Sequence, residues 1–391
     1  MYNKIEFIQL NCTINSTLTQ IKCHNTLQSA SEIVLQGKGY DSFINAIKSP
    51  KTKIAYAQSL RRYLNHRKLT EVDNLLLEQN PRLIESQIVD YVMTLRSEGI
   101  AFATIQFLVA PIITFYSLND VVLNKRKISR YFGEYKKRVR DRAYTSEEIW
   151  KALQIADQRM KVIILMLTTT GQRIGSLGDI TLGNLTRNEE FGIYQVTVYE
   201  GTNNEYHSYT TRECAAAIDD YLAYRQRSGE RVSASAPLIR EQFDSTDVLQ
   251  ARRPQHMNTN AIRRSLGYHL VKCGIRSVEH PQEPNSTKRV RKDVALGNAF
   301  HKYAISCFVR AKVNHEVRQM LVDHKGGYLD ESYLRLSEEE ILSEYMKAEP
   351  YLTLDPNVRL SNENKTLRIE VSKVDGVLAE IAEMRKQIGL T

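Results

Sequence analysis

The feature that most constrains this chain is a break near residue 142. Basic side chains crowd the segment before it: Lys125, Arg126, Lys127, Arg130, Lys136, Lys137, Arg138, Arg140 and Arg142, with Glu134 and Asp141 as the acids among them. Charge of that density repels itself and does not form a core. Directly afterwards Thr145-Ser146-Glu147-Glu148 places a hydroxyl three residues ahead of a carboxylate, the capping box that starts a helix. A basic stretch followed by a fresh helix start marks a domain boundary, and 391 residues suffice for about two or three domains, each with its own core. The expected division is an N-terminal extension (1–40), a helical unit that includes the basic linker (41–141), a second unit (142–358) and a C-terminal heptad helix (359–391).

Helical spacing fills the first unit. Tyr56, Leu60, Tyr63 and Leu64 recur at intervals of three and four, with Thr52 expected as the N-cap. Lys51, Lys53, Arg61 and Arg62 occupy the opposite face. A second run carries Ile84, Ile88, Val92 and Leu95 and stops at Gly99. A third, expected to open at Thr104, carries Ile105, Leu108, Val109, Ile112 and Tyr116. The result is a small all-α domain with one basic face. With a formal charge of +9, the chain favours a polyanionic partner. The candidate contacts are Lys51, Lys53, Arg61 and Arg62 together with the linker residues from Lys125 to Arg140, and phosphates of double-stranded DNA suit them.

The second unit reads differently. An apolar run from Val162 to Leu167, far too short to span a bilayer, ends at Thr168-Thr169-Thr170-Gly171. Tyr194 to Tyr199 alternate as a strand, Gly201 to Asn204 turn, and Tyr206 to Tyr209 return, which makes a hairpin. Helices dominate thereafter, apart from a polar, proline-containing insertion at about 276–290. In the tail, Leu360, Leu367, Val374, Ile381 and Ile388 stand seven apart, with Val371 and Leu378 on the alternate seam. Asn364, Gly376 and Arg385 weaken that seam. Packing on its own body and packing on a neighbour are both open for this helix. The fold class is therefore mainly α with a small antiparallel sheet.

Other classes fall away. The five cysteines, Cys12, Cys23, Cys214, Cys273 and Cys307, are odd in number and scattered, which fits a reducing interior and a cytoplasmic protein rather than a disulfide framework. No zincin, P-loop or dinucleotide motif occurs.

Four motifs share one frame: Ser49-Pro50-Lys51-Thr52 with Tyr56; Thr170-Gly171-Gln172-Arg173-Ile174-Gly175-Ser176-Leu177; Ala299-Phe300-His301-Lys302-Tyr303; and the run His315 to His324, followed by Gly326, Gly327 and Ser332-Tyr333-Leu334-Arg335. Tyr333 lies nine positions past His324. In combination and order these resemble the tyrosine recombinase (phage integrase) family, closest to its archaeal integrase-type members, over about residues 41–358. The resemblance implies an N-terminal all-α core-binding (SAM-like) domain and a C-terminal α+β catalytic domain. It implies site-specific DNA cleavage and rejoining through a 3′-phosphotyrosine, on paired sites, by a homotetramer that uses no cofactor and no metal. Tyr333 would be the nucleophile, with Arg173 and His324 on the scissile phosphate. The chemistry suits these residue types. A phenol with a pKa near 10 needs help to attack, and phosphate oxygens need cationic donors.

Three positions depart from the family pattern. The hairpin turn Gly201-Thr202-Asn203-Asn204-Glu205 holds no lysine where the family has its leaving-group acid near Asn203, and none occurs between Lys161 and Lys272. Asn298 stands where the family has histidine, and His301 where it has a second arginine. Loss of one well-placed donor costs on the order of 3 kcal/mol, and an imidazole with an ordinary pKa of about 6.5 replaces an arginine's charge only when protonated. Which residue replaces the hairpin acid, Lys302 or a lysine elsewhere, is left open by the sequence. The alternative is a catalytically weakened or inactive relative that binds DNA as a regulatory or architectural protein. A nicking, topoisomerase-like enzyme is a more distant third.

Overall fold

The computed structural model describes residues 33–135, 141–277, 294–322 and 336–361, together with 364, 367–368, 371–372, 374, 378 and 381 of the tail. His324, Tyr333, Lys136, Lys137, Arg138 and Arg140 lie outside the described residues. The chain divides into two compact units, Met1–Arg138 and Val139–Thr391.

The described residues of the first unit form the helices α1 (Lys38–Asn45), α2 (Pro50–Arg67), α3 (Pro81–Ser97), α4 (Phe102–Leu118) and α5 (Lys125–Ser129), with a 3-10 turn at Val72–Leu77. Its core is the apolar stripe of each helix. Phe43, Leu60, Tyr63, Leu64, Ile84, Ile88, Val92, Leu95, Val109 and Ile112 are buried together. Two helix starts differ from expectation. α2 begins at Pro50, and Ser49 rather than Thr52 is its N-cap, its hydroxyl accepting the Thr52 amide at 3.4 Å. Proline's missing N–H is harmless in the first turn, so Ser-Pro outranks the later threonine. α4 opens at Phe102 after Ala101, two residues before Thr104, and has no side-chain cap.

Two carboxylates tie this unit together across the sequence. Asp73 accepts the Gly39 and Tyr40 amides at 3.1 Å each, supplying the cap that α1 lacks. Glu85 accepts the Asn124 amide and the Lys127 ammonium, both at 2.8 Å, so the first turn of the basic segment is fixed to α3. Hydrogen bonds from Lys127 and Asn124 hold the Glu85 carboxyl below its ordinary range.

The second unit contains α6 (Ser146–Gln154), α7 (Gln158–Thr169), β1 (Leu185–Asn188), β2 (Ile193–Val198), β3 (Tyr206–Tyr209), α8 (Arg212–Arg227), α9 (Val248–Arg252), α10 (Thr259–Lys272), α11 (Asn298–Arg310), α12 (His315–Leu321) and α13 (Glu338–Leu352). The capping box at Thr145 and Glu148 forms, and Arg142 grips Glu148 with both terminal nitrogens at 2.7 and 2.6 Å. The strands form an antiparallel sheet in the order β1-β2-β3, with Leu185 opposite Val196 and Val198 opposite Tyr206. Strand β1 has no apolar alternation of its own, and pairing with β2 is what makes it a strand. β2 ends one residue short of the expected Tyr199, because that residue turns to φ 58°.

α7 is the central element, buried from Val162 to Thr169. Beneath the α8–α9 region, Glu230 bridges the buried guanidinium groups of Arg225 and Arg240. In the tail the described residues are helical, and Leu360, Leu367, Val371, Val374, Leu378 and Ile381 are each 40–58 % exposed.

Candidate active site

The site begins at the C-terminal end of α7. Its last hydroxyls, on Thr168, Thr169 and Thr170, donate back to carbonyls four residues earlier at 2.7–2.9 Å. The carbonyls that a helix end leaves without partners are then taken by three distant side chains. Tyr345 Oη on α13 donates to Thr169 at 3.2 Å, and Ser208 Oγ on β3 donates to Thr170 at 2.9 Å. His301 Nδ1 on α11 donates to Gly171. Gly171 sits in the left-handed region at φ 65°, and a Cβ there would lie 3.0 Å from Val322 Cγ1 and 3.3 Å from Ala304 Cβ. A glycine C-cap is thus required twice, by backbone and by packing.

Arg173 follows on a tight turn whose carbonyl accepts both the Ser176 amide at 3.0 Å and the Ser176 hydroxyl at 2.8 Å. Its side chain is exposed, whereas Gln172, Ile174 and Ser176 around it are buried. The first turn of α11 closes on the same loop. A Cβ on Gly297 would meet Ile174 Cγ2 at 2.7 Å, so only glycine permits this approach. Two contacts therefore bracket Arg173, one through Gly171 and His301, the other through Ile174 and Gly297. Asn298, the first residue of α11, is exposed, and His301 one turn later is buried at 6 %. Because a carbonyl only accepts, Nδ1 of His301 carries the proton.

Of the residues singled out from sequence, the fold brings Arg173, Asn298 and His301 to this one junction. Lys51, Arg61 and Arg62 are exposed on α2 and Lys53 is half-buried there. Arg62 is paired with Glu98 at 2.8 Å, and Lys127 with Glu85. Lys125, Arg126 and Arg130 are exposed at α5. Lys302 is engaged by Asp141. Its ammonium donates to the Asp141 carbonyl at 2.9 Å and is paired with the Asp141 carboxylate. The bond anchors the start of this unit to α11, as do Tyr144 Oη on the Leu296 carbonyl at 3.3 Å and the Tyr144–Phe300 ring contact at 4.5 Å.

Tyr303, Cys307 and Cys214 nearby are structural. Tyr303 Oη donates to the Tyr351 carbonyl at 3.3 Å, and burial raises its pKa well above the ordinary phenol value. Burial likewise pushes Cys307 up to about 11 and Cys214 up to about 12, too high to form thiolates at neutral pH. Sequence reasoning missed Tyr199, His256 and Thr259. The Tyr199 hydroxyl lies 3.9 Å from the Cβ position of Gly175. His256 Nδ1 contacts the Gly178 carbonyl at 3.1 Å, and Thr259 Oγ1 donates to Gly175 at 3.4 Å. All three support the Arg173 loop from elements whose spacing carries no sign of it.

Comparison with protein-family models gives no match, and neither does a search of curated protein sequences. Solved structures do match. The Tn1549 transposon integrase in complex with transposon right end DNA aligns with TM-score 0.50 and 14% identity, covering 78% of this chain and 98% of that one. A lambda integrase dimer bound to a COC′ core site aligns with TM-score 0.48 and 12% identity, over 78% of this chain and 94% of that one. XerA recombinase aligns with TM-score 0.36 and 15% identity, over 78% and 96%. The first of these likenesses shows the fold: a mainly helical chain with a small antiparallel sheet, the architecture of a tyrosine recombinase catalytic domain.

Proposed function

We propose that this chain cuts and rejoins DNA at specific sites as a tyrosine recombinase of the archaeal integrase type, through a 3′-phosphotyrosine on Tyr333. The observation that carries the reading is the bracketed junction. Gly171 with His301 and Ile174 with Gly297 hold an exposed arginine beside the first turn of a helix distant in sequence. A guanidinium presented on a rigid, buried support is what a scissile phosphate needs, since preorganised donors stabilise charge as it develops. Arg173, Asn298, His301 and His324 are assigned to the phosphate. Lys51, Lys53, Arg61, Arg62, Lys125, Arg126, Lys127, Arg130, Lys136, Lys137, Arg138 and Arg140 are assigned to the flanking duplex. The enzyme works in the cytoplasm on paired sites as a tetramer, and the apolar seam of the tail contributes to that assembly.

A nicked suicide substrate tests the assignment. Wild-type protein should form a covalent protein–DNA band on a denaturing gel, and Tyr333→Phe should not. An equal band from the variant would overturn the choice of nucleophile.

A second reading draws on Asn298, His301 and the lysine-free hairpin: a relative that kept its hold on DNA and lost the chemistry. Duplex binding with steep salt dependence, and no covalent adduct on any cognate site, would favour it.

A further inference from the structure

The β2–β3 hairpin delivers an aromatic side chain to the Arg173 loop. Tyr199, the first residue past β2, has φ 58°, a left-handed backbone that bulky side chains rarely adopt. Such a conformation is strained and persists where the surroundings over-determine it. Here they do. The Tyr199 carbonyl accepts both the amide of Thr202 at 3.1 Å and its hydroxyl at 2.8 Å. The Tyr199 ring lies against Tyr206 with centroids 6.4 Å apart. The Glu205 carboxylate closes the turn on the Gly201 amide at 2.6 Å. The half-buried phenol thus ends 3.9 Å from the Cβ position of Gly175, in the loop that carries Arg173 two residues earlier.

We propose that Tyr199 is the acid that protonates the departing 5′ oxygen, an inference that rests on the cleavage function proposed above. As the bond from the nucleophile to phosphorus forms, the bond from phosphorus to O5′ breaks and its electron pair stays on O5′. The Tyr199 O–H proton passes to that oxygen, and the proton shed by the nucleophile goes to water. Rejoining reverses the transfer, and the 5′ hydroxyl returns its proton to the Tyr199 phenolate. A phenol suits the task because its ordinary pKa, about 10, is close to the 10.4 of a lysine. Both are protonated at neutral pH, and both are far stronger acids than the alcohol they create. Lys302, the lysine of the α11 motif, is held by Asp141.

The test compares Tyr199→Phe on nicked DNA carrying the natural 5′ oxygen and on DNA with sulfur at that bridging position, which leaves as a thiolate without a proton. On oxygen the variant should cleave at least about a hundredfold more slowly than wild type, the range for a lost general acid. On sulfur it should come within severalfold. Equal impairment on both substrates, or none on oxygen, overturns the proposal while leaving the cleavage function intact. No covalent adduct from wild type on either substrate defeats the cleavage function, and this proposal with it. A ring-fluorinated tyrosine at position 199 keeps the shape and lowers the pKa. It should move the alkaline limb of the cleavage rate to lower pH, and an unmoved limb counts against the assignment.

Discussion

His301 donates a hydrogen bond from Nδ1 to the carbonyl of Gly171, a residue 130 positions earlier in the chain. Both groups are buried, and the bond joins α11 to the loop of Arg173. His301→Ala leaves that carbonyl without this donor, which costs about 1–3 kcal/mol. Urea unfolding of the full chain should show the loss. A variant as stable as wild type would mean that the loop does not depend on this contact.

Arg173 makes the opposite prediction. Its side chain is exposed, so Arg173→Ala should leave stability within about 0.5 kcal/mol. Covalent capture of nicked DNA should nevertheless fall a hundredfold or more, on the order of 3 kcal/mol of lost charge stabilisation. Single-turnover cleavage measured beside thermal melting separates the two effects.

The approach of Gly297 to Ile174 is testable as a pair. Gly297→Ala puts a methyl group 2.7 Å from Ile174 Cγ2 and should destabilise by about 1–3 kcal/mol. Ile174→Ala removes the Cγ2 atom that is pressed, so Gly297→Ala should cost less in its presence than in wild type. A double-mutant cycle should give a coupling above about 0.5 kcal/mol, whereas strict additivity would mean that the two residues do not press on each other.

Glu85 predicts a pH dependence in the first unit. Hydrogen bonds from Lys127 and the Asn124 amide hold its carboxyl below the ordinary 4.5. The ionised group therefore stabilises the fold fully above about pH 4.5, and that contribution fades as pH falls through the lowered value. Glu85→Gln should flatten this part of the acid limb of stability. Chemical denaturation from pH 6 down to pH 3 checks it, and parallel curves for the two proteins would refute it.

The tail stripe predicts an assembly effect. Leu367, Val371, Val374, Leu378 and Ile381 alternate at intervals of four and three, and each is exposed. Truncation after Asn357 should leave binding of a single DNA site unchanged and weaken cooperative binding to paired sites. Unchanged cooperativity in gel-shift titrations would remove the tail from the assembly.

Much of the fold was legible because burial imposes a period. Leu60, Tyr63 and Leu64 on α2 and Ile84, Ile88 and Val92 on α3 all fell on the core side, since a helix hides one stripe. Helix ends were less legible. Ser49, Pro50 and Thr52 compete as starting points, and the local energies that separate them are small. β1 was invisible, because Leu185 to Asn188 become a strand only through their partners on β2. Within the candidate site, the Thr-Gly-x-Arg turn announced itself through its glycine, while Tyr199 did not. Its left-handed backbone and its place beside Gly175 depend on Thr202 and on where the hairpin lies.

By itself, then, the sequence determined the helical stripes, the hairpin and the order of the four motifs. Each follows from interactions among residues close in the chain. Only the tertiary structure decided that His301 and Gly297 close on the Arg173 loop, that Lys302 is committed to Asp141, and that the Tyr199 hydroxyl ends beside Gly175. Those contacts join residues far apart in the chain. Their energies depend on how whole helices pack, and spacing along the chain does not encode them.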